Sequence, residues 1–338
     1  MPRLFYFLQV ALQVGGGGHK GIGPVAKAAP IARRNAQQLG DDDILSQSAE
    51  FEGLYYYLQG RYREAAEFFA KAIHAVPEGE TEFLNIFLPS NLAYSYALLG
   101  QFHHAIGVLD SNLRRAQICL KPSLAVLFRS SLGTVLLMMG KMEEALTQLK
   151  KAKQEAISQG NKNALFFTTR SMAFYLYLKN RIRDSYNLMS ETIQSTIVEK
   201  TIIYRQNTWP WLLDMLYTYH QMGFAPINGL DFEQEMEKSL NGPNVLLRGV
   251  ALRIRAHQAM LRGDEITTVR RILKDSKNYT QLSGNPIERS NTLVEIARLE
   301  LFSGKPEKIL HYVLDAMELT AGYEHEFVPA EMKALVTS

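Results

Sequence analysis

Apolar and polar positions along this chain recur in a fixed phrase. From Gly53 to Pro77 the sequence GLYYYLQGRYREAAEFFAKAIHAVP sets small and apolar residues at helical spacing on both sides of a glycine. The spacing predicts a first helix to about Leu58, a turn closed by Gly60, and a second helix from about Tyr62 to Val76, stopped by Pro77. Tyr56, Phe69 and Ala72 fall on one face and fill the seam. Gly53 and Ala65 are small where the two backbones cross. A hairpin of this size cannot cover its own apolar face, so it must lean on copies of itself.

Adding forty residues finds the copies. Gly60, Gly100 and Gly140 keep step, with Asn180 at the next place, and each follows an apolar helix: LYYYLQG, YALLG, LLMMG, YLYLKN. The small position before the turn is Gly53, Ala93, Gly133 and Ala173. The small position after it is Ala65, Ala105, Ala145 and Ser185. Three positions holding phase through four copies exclude chance clustering. Expected first helices run from Asn85 to Leu99, Ser123 to Met139 and Asn163 to Lys179. Their second helices run from Gln101 to about Leu120, Lys141 to Gln159 and Ile182 to about Val198. Upstream, Leu4–Val14 and Val25–Leu39 form an earlier unit ended by Gly40, and Asp41 to Asp43 cap the helix that follows. Downstream the pattern weakens around WPWLLDMLYTYHQMG and a short second helix in FAPINGLDFEQEMEKSLNGP. It returns before Gly263 and Gly304, and a last helix is expected from Glu307 to Leu319. About eight units result: clear repeats over 46–200, degenerate ones over 1–45 and 201–322, and a tail over 323–338 that reads as one more short helix. The chain opens directly on a repeat helix and stops soon after the last repeat. Solenoids need capped ends, so either this is a piece of a longer protein or the tail is the cap.

These residues resemble the tetratricopeptide repeat (TPR) superfamily. The period near forty, with second helices ending in phrases such as AISQGN and AQQLGDD, is similar to the long-repeat variety in bacterial transcription regulators. Those are the maltose-activator type and activators of the alternative nitrogen-type sigma factor. The resemblance covers nearly the whole chain. It implies an all-α, right-handed α-α superhelix, one solenoid over 1–338, without catalytic machinery.

Composition narrows the function. Basic and acidic residues nearly balance, for a formal net charge of +3, and are interspersed, which argues against direct nucleic-acid binding by this chain. The only cysteine is Cys119, so no disulfide framework exists within the chain, and a reducing, cytoplasmic setting is expected. No run of eighteen apolar residues stands out as a membrane span. MPRLFYFLQVALQV begins like a signal peptide, but Gln9 and Gln13 interrupt it and no small-x-small cleavage site follows.

Candidate chemistry is thin. Gly16, Gly18 and Gly21 match the dinucleotide fingerprint G-x-G-x-x-G, with Asp41 further on. The fingerprint needs a strand before it and alternating strands and helices beyond, whereas Pro24 and Pro30 and the helical repeats follow here. In register it is an interhelix turn. Lys20 is followed by Gly21 and Ile22, so no phosphate loop forms. His103 and His104 are adjacent and diverge on a helix, unlike metal ligands three or four apart. His220 and His257 lie in different repeats. Cys119 follows Arg114 and Arg115, which favour a thiolate; the plainer reading is a packing residue. Asn278-Tyr279-Thr280 matches a glycosylation acceptor that has meaning only in a secreted protein. No metal, no cofactor and no enzyme activity are expected.

The TPR resemblance places groove-lining positions on the first helices. By register they fall on Glu50, Tyr57, Asn91, Tyr94, Ser130, Thr134, Arg170, Phe174 and Tyr177, then on Asp214, Tyr217, Arg253 and His257. The core of this set is Tyr57, Asn91, Tyr94, Thr134, Arg170, Phe174, Tyr177, Asp214, Tyr217 and Arg253. Hydroxyls, an amide, arginines and aromatics suit a protein or peptide partner, with aromatics as anchors and arginines for carboxylates. A small-molecule effector is compatible with the same face. The plain alternative is a solvated face of packed helices.

Overall fold

The computed structural model describes residues 42–74, 87–198 and 210–337, together with positions 30, 31, 33–35, 37, 38 and 40. The dinucleotide-like glycines, the segment 1–29 and Pro77 lie outside the described residues. What is described is an all-α helical solenoid with no strand and one isolated bridge between Ile227 and Leu230. Helices α1 (Asp42–Leu58) and α2 (Tyr62–His74) form the hairpin around Gly60. Then come α3 (Leu88–Leu98) with α4 (Phe102–Ile118), α5 (Pro122–Met139) with α6 (Met142–Ser158), and α7 (Lys162–Leu178) with α8 (Ile182–Val198). The degenerate half keeps the plan: α9 (Pro210–Gln221) with α10 (Phe232–Asn241), α11 (Val245–Arg262) with α12 (Ile266–Ser283), and α13 (Pro286–Phe302) with α14 (Ile309–Leu319). The expected tail helix is α15 (Ala330–Thr337).

The turns fall where the period predicts. Gly60, Gly100, Gly140, Gly223, Gly263 and Gly304 all have positive φ, and Asn180 takes the same left-handed conformation at φ 57°, which asparagine tolerates best among residues with a side chain. The small position before the turn has a sharper reason than helix crossing alone. A Cβ on Gly53 would come within 2.5 Å of the Phe69 ring, and one on Gly133 within 2.7 Å of Leu149 Cγ. The glycine is therefore a socket for a large side chain one turn beyond the small residue of the facing helix. Side-chain caps at Asn161, Asp231, Asn244 and Asn285 each accept from an amide in the first turn of the following helix.

Helix α5 is long and apolar enough to cross a membrane by length and composition alone, yet 78% of that stretch is buried inside the protein. It is a central core helix, with Val126, Val135 and Leu137 at or near zero exposure. Cys119, expected as a packing residue, is instead exposed at the end of α4.

The solenoid closes on itself. The Val245 amide donates to the Gln59 carbonyl at 2.9 Å, Asn285 Nδ2 donates to the Leu98 carbonyl at 2.7 Å, and the Glu324 amide donates to the Met139 carbonyl at 2.9 Å. The first two of these turns thus receive the opening of the hairpin five places further along the chain, and the third receives the segment between α14 and α15. Successive superhelical turns touch along this seam, and the inner wall formed by the first helices is partly covered.

Candidate functional site

The first helices face inward with residues at three heights, about ten, six and three positions before each turn. Helical periodicity puts all three on one face. All ten positions of the core set lie in these helices, but they divide by exposure. Tyr57, Thr134, Arg170, Phe174 and Arg253 are buried; Asn91, Tyr94, Tyr177, Asp214 and Tyr217 are half-buried. The partly covered wall accounts for the difference from an open, solvated face.

In the N-terminal half the wall carries mostly hydroxyls and aromatic rings, with the Arg170 guanidinium among them. Tyr57 packs edge-on against Tyr62, with ring centroids 5.5 Å apart. Hydroxyls link adjacent first helices: Ser131 Oγ donates to Ser90 Oγ at 3.0 Å, Thr168 Oγ1 to Ser130 Oγ at 3.0 Å, and Thr134 Oγ1 lies 2.7 Å from Ser171 Oγ. Phe174 stacks on Trp211 at 4.2 Å. The Arg170 guanidinium lies over the rings of Phe166 and Phe167, at 5.6 and 5.3 Å. Burial pulls its pKa down to about 10, against the influence of Tyr94 and Tyr57 nearby. Burial likewise raises the Tyr94 phenol, although Ser131 and Thr134 hydrogen-bond to it.

In the C-terminal half the wall is ionic. Arg253 Nη2 lies 2.8 Å from Asp214 Oδ2 and 3.0 Å from Glu288 Oε2, so one guanidinium ties three consecutive hairpins together. Burial works against its charge, but the two carboxylates outweigh it and hold Arg253 protonated. Burial raises the Glu288 carboxyl despite Arg253. His257 Nδ1 lies 3.0 Å from Glu295 Oε2, and Arg298 pairs with the same carboxylate. These partners outweigh the burial of Glu295 and bring its carboxyl below the usual range. Tyr217 stands edge-on to His257 at 5.9 Å. The Tyr177 hydroxyl lies 3.2 Å from Thr218 Oγ1, and burial, helped by Asp214, pushes its phenol up to about 12.

Glu288, Glu295 and Arg298 are missing from the sequence-derived set. The register carries the signal for two of them. Counting back from Gly304 puts Glu295 and Arg298 where counting back from Gly223 puts Asp214 and Tyr217. Glu288 lies at the very start of α13 and has no counterpart in the register. His103 and His104 are exposed and diverge as expected, and the described residues hold no group of histidine, cysteine and carboxylate side chains able to bind a metal. No protein-family model matches the chain, and no curated protein matches it in sequence.

Proposed function

We propose that this chain is a non-catalytic TPR-type scaffold that binds a protein or peptide segment along its inner wall, as the partner-recognising part of a regulatory system. The observation that carries this reading is the row of half-exposed hydrogen-bonding groups on consecutive first helices: Tyr177, Asp214, Tyr217, His257 and Arg298. Packing alone would be served by apolar residues at these places, since buried or half-buried polar groups cost stability unless satisfied. Packed helices lie roughly 10 Å apart, and an extended chain advances ~3.3 Å per residue. Every third residue of a bound segment would therefore meet a new helix. A photo-crosslinking residue in place of Tyr217 tests this. It should trap one discrete polypeptide, while the same residue in place of Leu261, exposed on the outer surface, should not. Equal labelling from both positions, or none from either, removes the reading.

A second reading has its own support. The same wall senses a small effector and passes the signal to an output domain, as the resemblance to bacterial transcription regulators implies. The Arg253 ion-pair chain favours it: a ligand that replaced one carboxylate would disturb three hairpins at once. An effector that raises the melting temperature of the protein but not of Tyr217→Ala would select this reading.

A further inference from the structure

The overall balance of charge conceals a local excess. At one edge of the solenoid lie the end of α4 with its turn into α5, and the end of α6 with its turn into α7. The two turns are neighbours. Asn161 Nδ2 donates to the Ser123 carbonyl at 3.4 Å, and Val126, Leu127, Ala156 and Ala164 pack together behind them. Residues 111–124 hold Arg114, Arg115 and Lys121 and no acid. Residues 150–163 hold Lys150, Lys151, Lys153 and Lys162 and one acid, Glu155, whose carboxylate lies 3.0 Å from the buried Arg129. Asp110 of α4 stands one turn further from the edge. Arg114, Arg115, Lys150 and Lys151 are all exposed.

Apolar side chains project from the same edge. Ile118 is 80% exposed, Leu120 85% and Ile157 59%. Leu120 is also held in a left-handed backbone, at φ 53°, which a residue with a Cβ disfavours. One repeat later the same place belongs to Gly160, at φ 61°. The two caps match bond for bond: the Lys121 amide donates to the Ala116 carbonyl as the Asn161 amide does to Ala156. Glycine serves this turn at less cost. A leucine whose side chain is so exposed is not accounted for by packing within the chain. Cations near helix C-termini complement the helix dipole, but a dipole calls for no exposed isoleucine or leucine.

We infer that this edge is a docking surface for an anionic lipid bilayer. The lysines and arginines face the anionic headgroups, while Ile118, Leu120 and Ile157 enter the boundary with the acyl chains. Attachment of this kind combines buried apolar area with attraction to anionic lipid, and both are present here within two adjacent turns. The edge is aliphatic: no aromatic residue occurs in 111–124 or 150–163. Surfaces that hold single-stranded nucleic acid add aromatic rings on which bases stack. Aliphatic tips set among cations suit acyl chains instead. The edge is carried by second helices and their turns, whereas the inner wall is built from first helices. The inference therefore stands apart from any partner of that wall.

The test floats the whole chain with phosphatidylcholine vesicles, and with vesicles of an equimolar phosphatidylcholine–phosphatidylserine mixture. Binding to the anionic vesicles should be at least about tenfold tighter. The double variant Lys150→Glu with Lys151→Glu should weaken it by about thirtyfold or more. Leu120→Gly should weaken it about tenfold, with a melting temperature equal to or above that of the parent, because glycine suits the left-handed turn. A polarity-sensitive dye on Cys119, the one cysteine, should shift to the blue with anionic vesicles and not with neutral ones. Equal binding to both vesicle types, binding to neither, or undiminished binding by Leu120→Gly overturns the assignment. Tighter binding to an oligonucleotide than to the anionic vesicles at the same salt also overturns it, by giving the edge to a nucleic acid.

Discussion

The two halves of the inner wall solve one problem differently. Both enclose polar side chains of the first helices. The N-terminal half does so with hydroxyls that satisfy one another and a guanidinium spread over two phenylalanine rings. The C-terminal half does so with charges that neutralise one another around Arg253. A hydroxyl chain tolerates loss of a member, because each neutral bond contributes only about 1 kcal/mol. An enclosed ion pair does not, because removing one partner strands the other. The C-terminal half should therefore be brittle and electrically organised, and the N-terminal half tolerant.

The largest expected effect breaks the comparison at its centre. Arg253→Met leaves Asp214 and Glu288 enclosed without their cation and should cost about 3–5 kcal/mol in urea unfolding. Arg170→Met keeps the contact with Phe166 and Phe167. It should cost less than about 2 kcal/mol, the scale of a desolvated cation–ring contact. Equal losses would mean that the halves do not differ in kind.

The next prediction separates seam turns from open ones. Gly140→Ala places a Cβ against the backbone at His325, whereas Gly263→Ala meets nothing within 4 Å. Both force alanine into positive φ, at about 1–2 kcal/mol. Only Gly140→Ala adds the cost of overpacking, about 1–3 kcal/mol more, and only it should raise hydrogen exchange at Glu324. Smaller still is Thr134→Val, which removes the bond to Ser171 and should cost about 1–2 kcal/mol by chemical denaturation.

The smallest effect is a pH dependence of the seam. Burial lowers the His325 pKa below its ordinary value near 6.5; Lys179 acts in the same sense and Glu326 opposes both. The Phe327 ring covers it edge-on at 4.9 Å. A histidine with a lowered folded-state pKa contributes stability that is complete above its unfolded value and is lost as the pH falls below about 6.5. Protection of the Glu324 amide, measured relative to that of Val245, should therefore drop between pH 7 and pH 5. A constant ratio would show that His325 does not hold the third contact.

The repeat was legible because it is local. Apolar spacing within a helix, a small residue before the turn and a left-handed residue at it are dictated by neighbours a few positions away, so Gly60, Gly100, Gly140 and even Asn180 could be placed by counting. The inward rows were legible for the same reason, and extending the count to Gly304 reaches Glu295 and Arg298. What those rows meet was not legible. Arg253 finds Asp214 and Glu288 through the pitch of the superhelix, which depends on how each hairpin tilts against the next. Asn285 and Leu98 are 187 residues apart and touch only because five hairpins complete one turn.

The amino-acid order by itself determined that this chain is a stack of helix pairs, where each pair turns, and which faces look inward. Short-range sterics and the burial of one apolar face per helix suffice for that. Only the tertiary structure decided that the stack winds tightly enough for its turns to touch, burying half of the expected wall. The reason is that small tilts between neighbouring hairpins add up along the chain, and no local pattern of residues encodes their sum.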